Sequence, residues 1–191
     1  MDDEDNREIY DEFIEILKEE DHESNLVDSN ILMAPEPLPL IMTYHEVETM
    51  SMHLMLQLQA LERRGCSLLF LQASDILFVY QKYYLLANLT QLVPLQKNKA
   101  TNAKAAVAPE QLVLNYPALF PFPAAVCAPE LLKMNALPFI TNKSASYYSL
   151  ALLCLAKLNL SLETLQGTKL YYFLERCLKA EPNERFLYNN L

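Results

Sequence analysis

The chain has 191 residues, 52% of them hydrophobic, which is enough apolar material for a domain with a sizeable core and too much for a disordered chain. A net charge of −9 disfavours a nucleic-acid backbone as the main partner. Only Gly65 and Gly167 are glycine, which disfavours glycine-rich phosphate loops and folds rich in tight β-hairpins.

The cysteines and the first residues bear on the compartment in which the protein works. The four cysteines are widely spaced and lack a metal-type pairing, so we expect buried thiols in a reducing compartment. The opening MDDEDNREIY lacks the basic and apolar parts of a signal peptide, and the longest apolar runs are too short to span a bilayer. We therefore expect an intracellular, cytoplasmic protein with no membrane partner.

The first elements predicted along the chain are an acidic helix, two strands and a second helix. Residues 6–20 carry apolar side chains on one face at helical spacing and acids on the other. The short apolar runs 27–33 and 37–44 are bounded by prolines and predict strands. Residues 46–64 form a second amphipathic pattern, and Gly65 follows as a C-terminal stop.

The middle of the chain contains three β-like runs. They span residues 67–71, 75–80 and 83–89, and the last two are close enough in sequence to form a hairpin. The polar, alanine-rich residues 96–109 then predict an exposed loop or a weak helix.

The C-terminal part of the sequence predicts two further helices. Residues 147–158 are apolar nearly all round, which is typical of a helix at the centre of a core. Residues 169–180 repeat at helical spacing, and Pro182 ends that pattern. The predicted fold class is therefore mainly α with a few short β-strands (α+β), because no repeating βαβ pattern is present.

Three stretches of the C-terminal half follow one another in a recognisable order. APELL stands at 128–132, SYYSLA at 146–151 and EPNER at 181–185. This order resembles the carboxy-terminal lobe of eukaryotic-type protein kinases. In that family Ala-Pro-Glu closes the activation segment, a buried central helix follows, and a late Arg pairs with the Glu. The resemblance implies a structural ion pair between Glu130 and Arg185.

The resemblance extends upstream and divides the chain into two parts. Residues 13–27 look like the family's αC helix and the turn after it, and residues 46–64 look like its long αE helix. Residues 1–45 then correspond to a remnant of the N-lobe, and residues 46–191 to a helical domain like the C-lobe. The alignment starts at αC, so the family's first three strands, glycine-rich loop and phosphate-binding Lys have no counterpart in these residues.

The catalytic positions of the family fall on apolar residues of this chain. The catalytic Asp falls on Phe70, and the His-Arg before it falls on Leu68 and Leu69. The αC Glu falls on Phe13, with Glu12 beside it. A phenyl ring neither accepts a proton nor orients a hydroxyl group. The resemblance therefore implies a protein that is not an enzyme and that holds no cofactor and no metal.

Two polar residues fall at the family's metal-binding positions. Aligning SDILFV with the family's ENILV places Asp75 at the metal-binding Asn, and Asn88 falls at the Asp of Asp-Phe-Gly. Both are weak candidates for holding a cation or nucleotide, and a capping or turn role is favoured for Asp75.

The kinase positions whose residues this chain keeps are structural, and the kinase positions whose residues it replaces are catalytic. We therefore expect a non-catalytic pseudokinase that acts as a protein–protein interaction or scaffolding module, with another protein or a second copy covering the truncated N-lobe. One alternative is a residual nucleotide-binding or active serine/threonine phosphotransferase. Another is a structural component of a larger assembly. The ending LYYFLERCLKAEPNERFLY looks most like kinase-like proteins of large DNA viruses, which permits a viral assembly and, as an alternative location, a virion or viral factory.

Overall fold

The structure, a computed structural model, describes residues 3–20, 36–97, 110–114 and 122–187. These ranges contain helices and antiparallel sheets, so the fold is α+β, as the sequence predicted. The helices are α1 (Asp3–Glu20), α2 (Tyr44–Arg63), α3 (Pro129–Leu132), α4 (Ala145–Leu158) and α5 (Lys169–Cys177). The strands are β1 (Glu36–Pro37), β2 (Cys66–Leu68), β3 (Ile76–Val79), β4 (Tyr83–Leu86), β5 (Leu92–Lys97), β6 (Glu110–Leu114) and β7 (Phe139–Asn142).

The long helix α2 begins at a complete capping box. The Thr43 side chain accepts from the backbone N–H of Glu46, and the Glu46 carboxylate accepts from the backbone N–H of Thr43. At the other end Gly65 has a φ of 79°, a left-handed conformation that favours glycine. The helix predicted over residues 46–64 is confirmed, and its start lies two residues earlier because Thr43 is the cap.

The helix α4 lies at the centre of the core, as its apolar composition predicted. Ten of its residues are buried, including the serines Ser146 and Ser149. It ends at Asn159, which has a φ of 52° and provides the left-handed C-cap. The predicted helix over residues 169–180 is also present as α5, which ends at Cys177.

The first sheet is antiparallel with strand order β1-β3-β4. The predicted hairpin is confirmed, since Val79 of β3 pairs with Tyr83 of β4. Tyr80 and Gln81 in its turn have φ values of 55° and 54°, which primed hairpin turns require. The strand predicted over residues 83–89 ends at Leu86.

The second sheet, of order β2-β5-β6-β7, was not predicted as a sheet. Its strands are all antiparallel, and the third and fourth pair through Leu112 and Thr141. Pro94 lies inside β5, and proline, which cannot donate to a ladder, is an unusual residue within a strand. Residues 96–97, predicted as part of a loop or weak helix, belong to this strand. Residues 98–109 lie outside the described residues.

The strand predicted over residues 37–44 is wrong. Only Glu36 and Pro37 pair as a strand, with Phe78 and Leu77, and α2 begins at Tyr44. Proline residues at 37 and 39 have no N–H to donate, so a longer ladder cannot form there. The run at 67–71 is likewise shorter than predicted and ends as a strand at Leu68. The strand predicted at 27–33 lies outside the described residues.

Two apolar clusters make up the core. The larger one joins α1, α2, α4, α5 and the first sheet, and it contains Ile9 and Phe13 from the N-terminal segment. The smaller one lies on the second sheet and includes Phe70, Leu112 and Phe122. Residues of the predicted N-lobe remnant therefore share a core with the helices that follow. No helix of the described part of the chain is long and apolar enough to cross a membrane.

Candidate functional site

The segment between β2 and β3 carries the residues that the kinase resemblance placed at the catalytic loop. Leu68, Leu69 and Phe70 are all buried, with at most 5% of each side chain exposed. The Phe70 ring meets the ring of Phe122 edge to face, with centroids 6.1 Å apart. The residue at the catalytic position thus lies in an apolar cluster, and this position offers no group that binds or transfers a proton.

The two weak candidates for a cation or nucleotide, Asp75 and Asn88, lie in direct contact. The amide Nδ2 of Asn88 donates to the Asp75 carboxylate over 2.8 Å, and the backbone N–H of Gln72 donates to the other carboxylate oxygen over 2.8 Å. The side chain of Asn88 also accepts from the N–H and the hydroxyl of Thr90. Asp75 is 4% exposed and both oxygens of its carboxylate accept hydrogen bonds, which is the geometry of a capped turn.

The structure brings Glu130 and Arg185 together. The Arg185 guanidinium donates from Nη1 to Oε1 of Glu130 over 2.6 Å and from Nη2 to Oε2 over 2.8 Å. It donates further to the carbonyls of Lys179 and Ala180 and lies over the Tyr148 ring, 4.9 Å from the centroid. The Arg185 side chain is 0% exposed, so this ion pair fixes α3 to the segment after α5 from inside the fold.

A second buried contact fixes the central helix to the segment after β2. The Ser149 hydroxyl accepts from the backbone N–H of Leu71 over 2.7 Å and donates to the carbonyl of the same residue over 2.9 Å. A single side chain of α4 thereby satisfies both backbone groups of Leu71. Sequence reasoning missed this contact, because a serine inside an apolar helix gives no signal of its partner.

The polar residues His53 and Gln57 on α2 connect this helix to β4. His53 Nδ1 accepts from the backbone N–H of Tyr84 over 3.2 Å, and Gln57 donates to the carbonyl of Tyr84 and accepts from the N–H of Leu86. Burial lowers the pKa of His53 to about 4, so the ring stays neutral and keeps its acceptor nitrogen near neutral pH. His53 is therefore a buried histidine whose acceptor nitrogen is satisfied within the fold.

The position aligned with the αC Glu is occupied by Phe13, which is 0% exposed in the larger core cluster. The neighbouring Glu12 forms an ion pair with Arg64 at the end of α2. The Tyr10 hydroxyl of the same helix donates to the carbonyl of Ala87 over 2.5 Å. These contacts of α1 with the rest of the fold are apolar packing, an ion pair and a structural hydrogen bond.

A cavity of about 390 Å³ opens beside the Glu130–Arg185 pair. It is lined by the end of α2, the junction between β7 and α4, and the segment 182–187. Glu62 lies on its wall, accepting from the Tyr147 hydroxyl and pairing with the Lys143 ammonium over 2.7 Å. This cavity was not predicted, because its residues come from three separated stretches of sequence.

Among the described residues, no group of three or more histidine, cysteine, aspartate or glutamate side chains could hold a metal ion. The three fully buried cysteines have raised pKa values because burial disfavours the thiolate, and the pKa of Cys127 is about 12. These thiols are therefore protonated and poorly nucleophilic at neutral pH. No protein-family model matches the chain, and no curated protein sequence matches it.

Proposed function

We propose that the chain is a non-catalytic, kinase-derived module that binds another protein. The observation that carries this proposal is the buried Phe70, which occupies the position of the catalytic Asp in the alignment and packs on Phe122. Phosphoryl transfer depends on charged groups that position the nucleophile and neutralise the phosphates. An apolar cluster at this position supplies neither.

The pattern of retained contacts supports the same proposal. The Glu130–Arg185 pair and the Ser149–Leu71 contact both hold the fold together around α4. By the resemblance, the corresponding Glu and Arg of the family hold the C-lobe together. This chain keeps such contacts, while its residues at the catalytic positions are apolar. We expect that combination in a chain that is selected for its shape and surface.

An exposed apolar pair supports the part of the proposal that concerns protein binding. Leu40 is 86% exposed and Ile41 is 60% exposed. The segment that carries them is fixed at both ends, since Lys157 donates to the carbonyl of Pro39 over 2.5 Å and the N–H of Met42 donates to the carbonyl of Lys157 over 2.8 Å. Because the backbone of this segment is already fixed, a partner that covers the two side chains does not have to order it.

The experiment that tests the non-catalytic reading is a thermal melt of the folded protein with millimolar ATP and MgCl₂. Binding to the folded state alone must raise the melting temperature, so we expect no shift. Incubation with γ-labelled ATP and a mixture of serine/threonine peptides should also transfer no phosphate. A shift or a transfer that disappears in Asp75→Ala would overturn the proposal.

Protein binding is tested by chemical cross-linking in cells that express the chain, followed by affinity purification and mass spectrometry. We expect a defined set of cross-linked proteins that Leu40→Ser/Ile41→Ser reduces and Ser161→Ala, an exposed substitution elsewhere, leaves unchanged. Light scattering on the purified chain identifies the case in which the partner is a second copy. A monomer with an identical cross-linking profile for both variants would contradict the role of this surface.

A second candidate function, residual nucleotide binding, is favoured by one observation. Asp75 and Asn88, which align with the family's two magnesium-binding residues, lie within hydrogen-bond distance of each other. For this function the Asn88 amide must turn away so that both side-chain oxygens face a cation. The thermal melt with ATP and MgCl₂ separates the two functions, because only this candidate predicts a shift.

A further inference from the structure

The exposed pair Leu40 and Ile41 lies against the C-terminal end of α4. The carbonyl before the pair and the N–H after it both bond to Lys157, the next-to-last residue of that helix. Leu160 follows three residues after Lys157 and is 45% exposed. Three exposed apolar side chains therefore lie at the same end of α4, and we call Leu40, Ile41 and Leu160 the apolar surface.

The residues around the apolar surface are acidic. The acids among residues 36–48 and 158–163 are Glu36, Glu46, Glu48 and Glu163. Neither range contains Lys or Arg, and its one histidine, His45, lies 3.9 Å from Glu48. Lys157 is 7% exposed, and its ammonium donates to the carbonyl of Pro39, so it is not on the surface that a partner meets. The charged side chains that a partner meets here are therefore mainly carboxylates.

Two of these carboxylates are hydrogen-bonded in a way that keeps their charge. Glu46 accepts from the backbone N–H and the hydroxyl of Thr43, and these bonds lower its pKa. Its own backbone N–H and the Ser161 side chain lower the pKa of Glu163 in the same way. The donors are neutral, so both carboxylates stay ionised at neutral pH and their negative charge is not cancelled by the bonds.

The negative charge decides between the possible occupants of the apolar surface. A second copy would bring the same acids against these acids, on chains that each have a net charge of −9. Nucleic-acid phosphates and anionic lipid headgroups are repelled for the same reason. A protein segment that carries Lys or Arg beside apolar side chains is complementary both to the apolar surface and to the acids around it.

We propose that the apolar surface binds a segment of a partner protein in which apolar side chains are flanked by Lys or Arg. This proposal rests on the proposed function as a protein-binding module and names the chemistry that its partner presents. The apolar side chains of the segment cover Leu40 and Ile41, and their burial supplies the affinity. The cations lie near Glu36 and Glu46 and select this segment over neutral and acidic ones.

The test is an NMR titration of the full chain with two probe peptides. One is N-acetyl-Lys-Leu-Leu-Lys-Lys-Leu-Leu-Lys-amide, and in the other every Lys is replaced by Gln. We expect saturable binding of the Lys peptide at millimolar concentration, about tenfold tighter than that of the Gln peptide, as two or more exposed ion pairs provide. The preference should shrink in 0.5 M NaCl, because salt screens exposed charges. Equal binding of the two peptides in low salt, or no saturable binding, would overturn the proposal.

Two variants locate the binding on the apolar surface and its acids. Leu40→Ser/Ile41→Ser should weaken binding of both peptides about tenfold or more, because it removes the apolar contact. Glu36→Gln/Glu46→Gln should weaken binding of the Lys peptide alone and bring it close to that of the Gln peptide. Gln at position 46 keeps the acceptor of the capping box, so α2 still begins at the same residue. Unchanged affinities in either variant contradict the proposal.

A matched control separates this site from the general attraction of a cationic peptide to an acidic chain. Glu181→Gln/Glu184→Gln removes the same amount of charge from two exposed positions. They flank Pro182, whose carbonyl accepts from Ser144 at the start of α4, about 20 Å along the helix from Lys157. This control should leave both affinities unchanged. If it weakens the Lys peptide as much as Glu36→Gln/Glu46→Gln does, net charge alone draws the peptide and the proposal fails.

Further outcomes separate this proposal from the proposed function and from self-association. If Leu40→Ser/Ile41→Ser reduces the cross-linked proteins while Glu36→Gln/Glu46→Gln does not, the chain binds proteins but its partner is not basic, and this proposal alone fails. If the Lys peptide binds as expected but no variant changes the cross-linked set, the basic-segment site stands and the proposed function fails. A dimer in light scattering that Leu40→Ser/Ile41→Ser dissociates would assign the apolar surface to a second copy and overturn the proposal.

Discussion

Arg185 and Glu130 lie 55 residues apart in sequence, and two parallel hydrogen bonds of 2.6 and 2.8 Å join them. The Arg185 side chain is 0% exposed and that of Glu130 is 17% exposed, so the pair is almost entirely removed from water. A buried carboxylate without its partner is costly, because the remaining charge cannot recover its hydration. The pair therefore makes the C-terminal segment necessary for the stability of α3.

We predict that Arg185→Leu lowers the free energy of unfolding by about 3–5 kcal/mol, because it leaves Glu130 buried and unpaired. Urea denaturation measures this loss. The exposed Arg63→Leu is the matched control and should change stability by no more than about 0.5 kcal/mol. The double variant Glu130→Leu/Arg185→Leu should lose less than the sum of the single changes, and strict additivity would argue that the two residues are not coupled.

We predict that Asp75→Asn destabilises the protein by about 1–3 kcal/mol. The alignment alone predicts a nearly silent change, but the carboxylate is buried and accepts from both Gln72 and Asn88. An Asn at position 75 has one acceptor oxygen for two donors. In the swap Asp75→Asn/Asn88→Asp each donor has an acceptor again, so most of the lost stability should return. A thermal melt in which the swap is no better than the single change would refute this account.

We predict that stability falls as the pH is lowered from about 6.5 to 4 and that His53 contributes to the fall. The pKa of His53 is lowered to about 4 in the fold, whereas an unfolded histidine has a pKa of about 6.5. Between these values the unfolded chain binds a proton that the folded chain does not, so the free energy of unfolding falls as the pH is lowered. The loss attributable to His53 reaches about 3 kcal/mol at pH 4 and is absent above pH 7.

The control for the pH prediction is His53→Asn, whose Oδ1 replaces Nδ1 as the acceptor for the Tyr84 N–H. Carboxylates titrate in both proteins, so the difference between the two pH profiles isolates the histidine. We expect the wild type to lose stability more steeply than the variant between pH 6.5 and 4. Parallel profiles over this interval would show that His53 is not held neutral by burial.

We predict opposite outcomes for neighbouring apolar residues in the segment before α2. Leu40→Ser should change stability by less than about 0.5 kcal/mol, because Leu40 is 86% exposed. Met42→Ser should cost about 2–5 kcal/mol, because Met42 is 5% exposed and packs in the larger core cluster. Calorimetry on the two variants tests this, and a similar cost for both would mean that Leu40 is covered in solution.

The helices could be predicted because their apolar spacing is local in the sequence. The spacing over residues 46–64 and 147–158 located α2 and α4 to within two residues at each end. The second sheet could not be predicted, since its strands are short and gain their ladders from residues far away, as when Cys66 pairs with Pro94. A proline at a ladder position is tolerated there, and no local signal shows that.

The candidate site was predictable only in part, for a related reason. Glu130 and Arg185 were paired through a resemblance, and their residue types suit each other at any separation. His53, Gln57 and Ser149 form hydrogen bonds with backbone groups. Backbone groups do not depend on residue type, so the sequence does not indicate which of them a side chain contacts. The cavity is formed where three segments that are distant in sequence meet, so no local sequence pattern indicates it.

The two hydrogen bonds between Ser149 and Leu71 bear on the order in which parts of the molecule unfold. Because one hydroxyl group holds both the N–H and the carbonyl of Leu71, this residue behaves as though it lay inside a sheet although it follows the end of a strand. We expect its amide proton to exchange with deuterium only when α4 leaves the core, an opening that we expect to accompany unfolding of the domain. The segment that aligns with the catalytic loop of kinases is therefore expected to be a slow-exchanging centre of this fold.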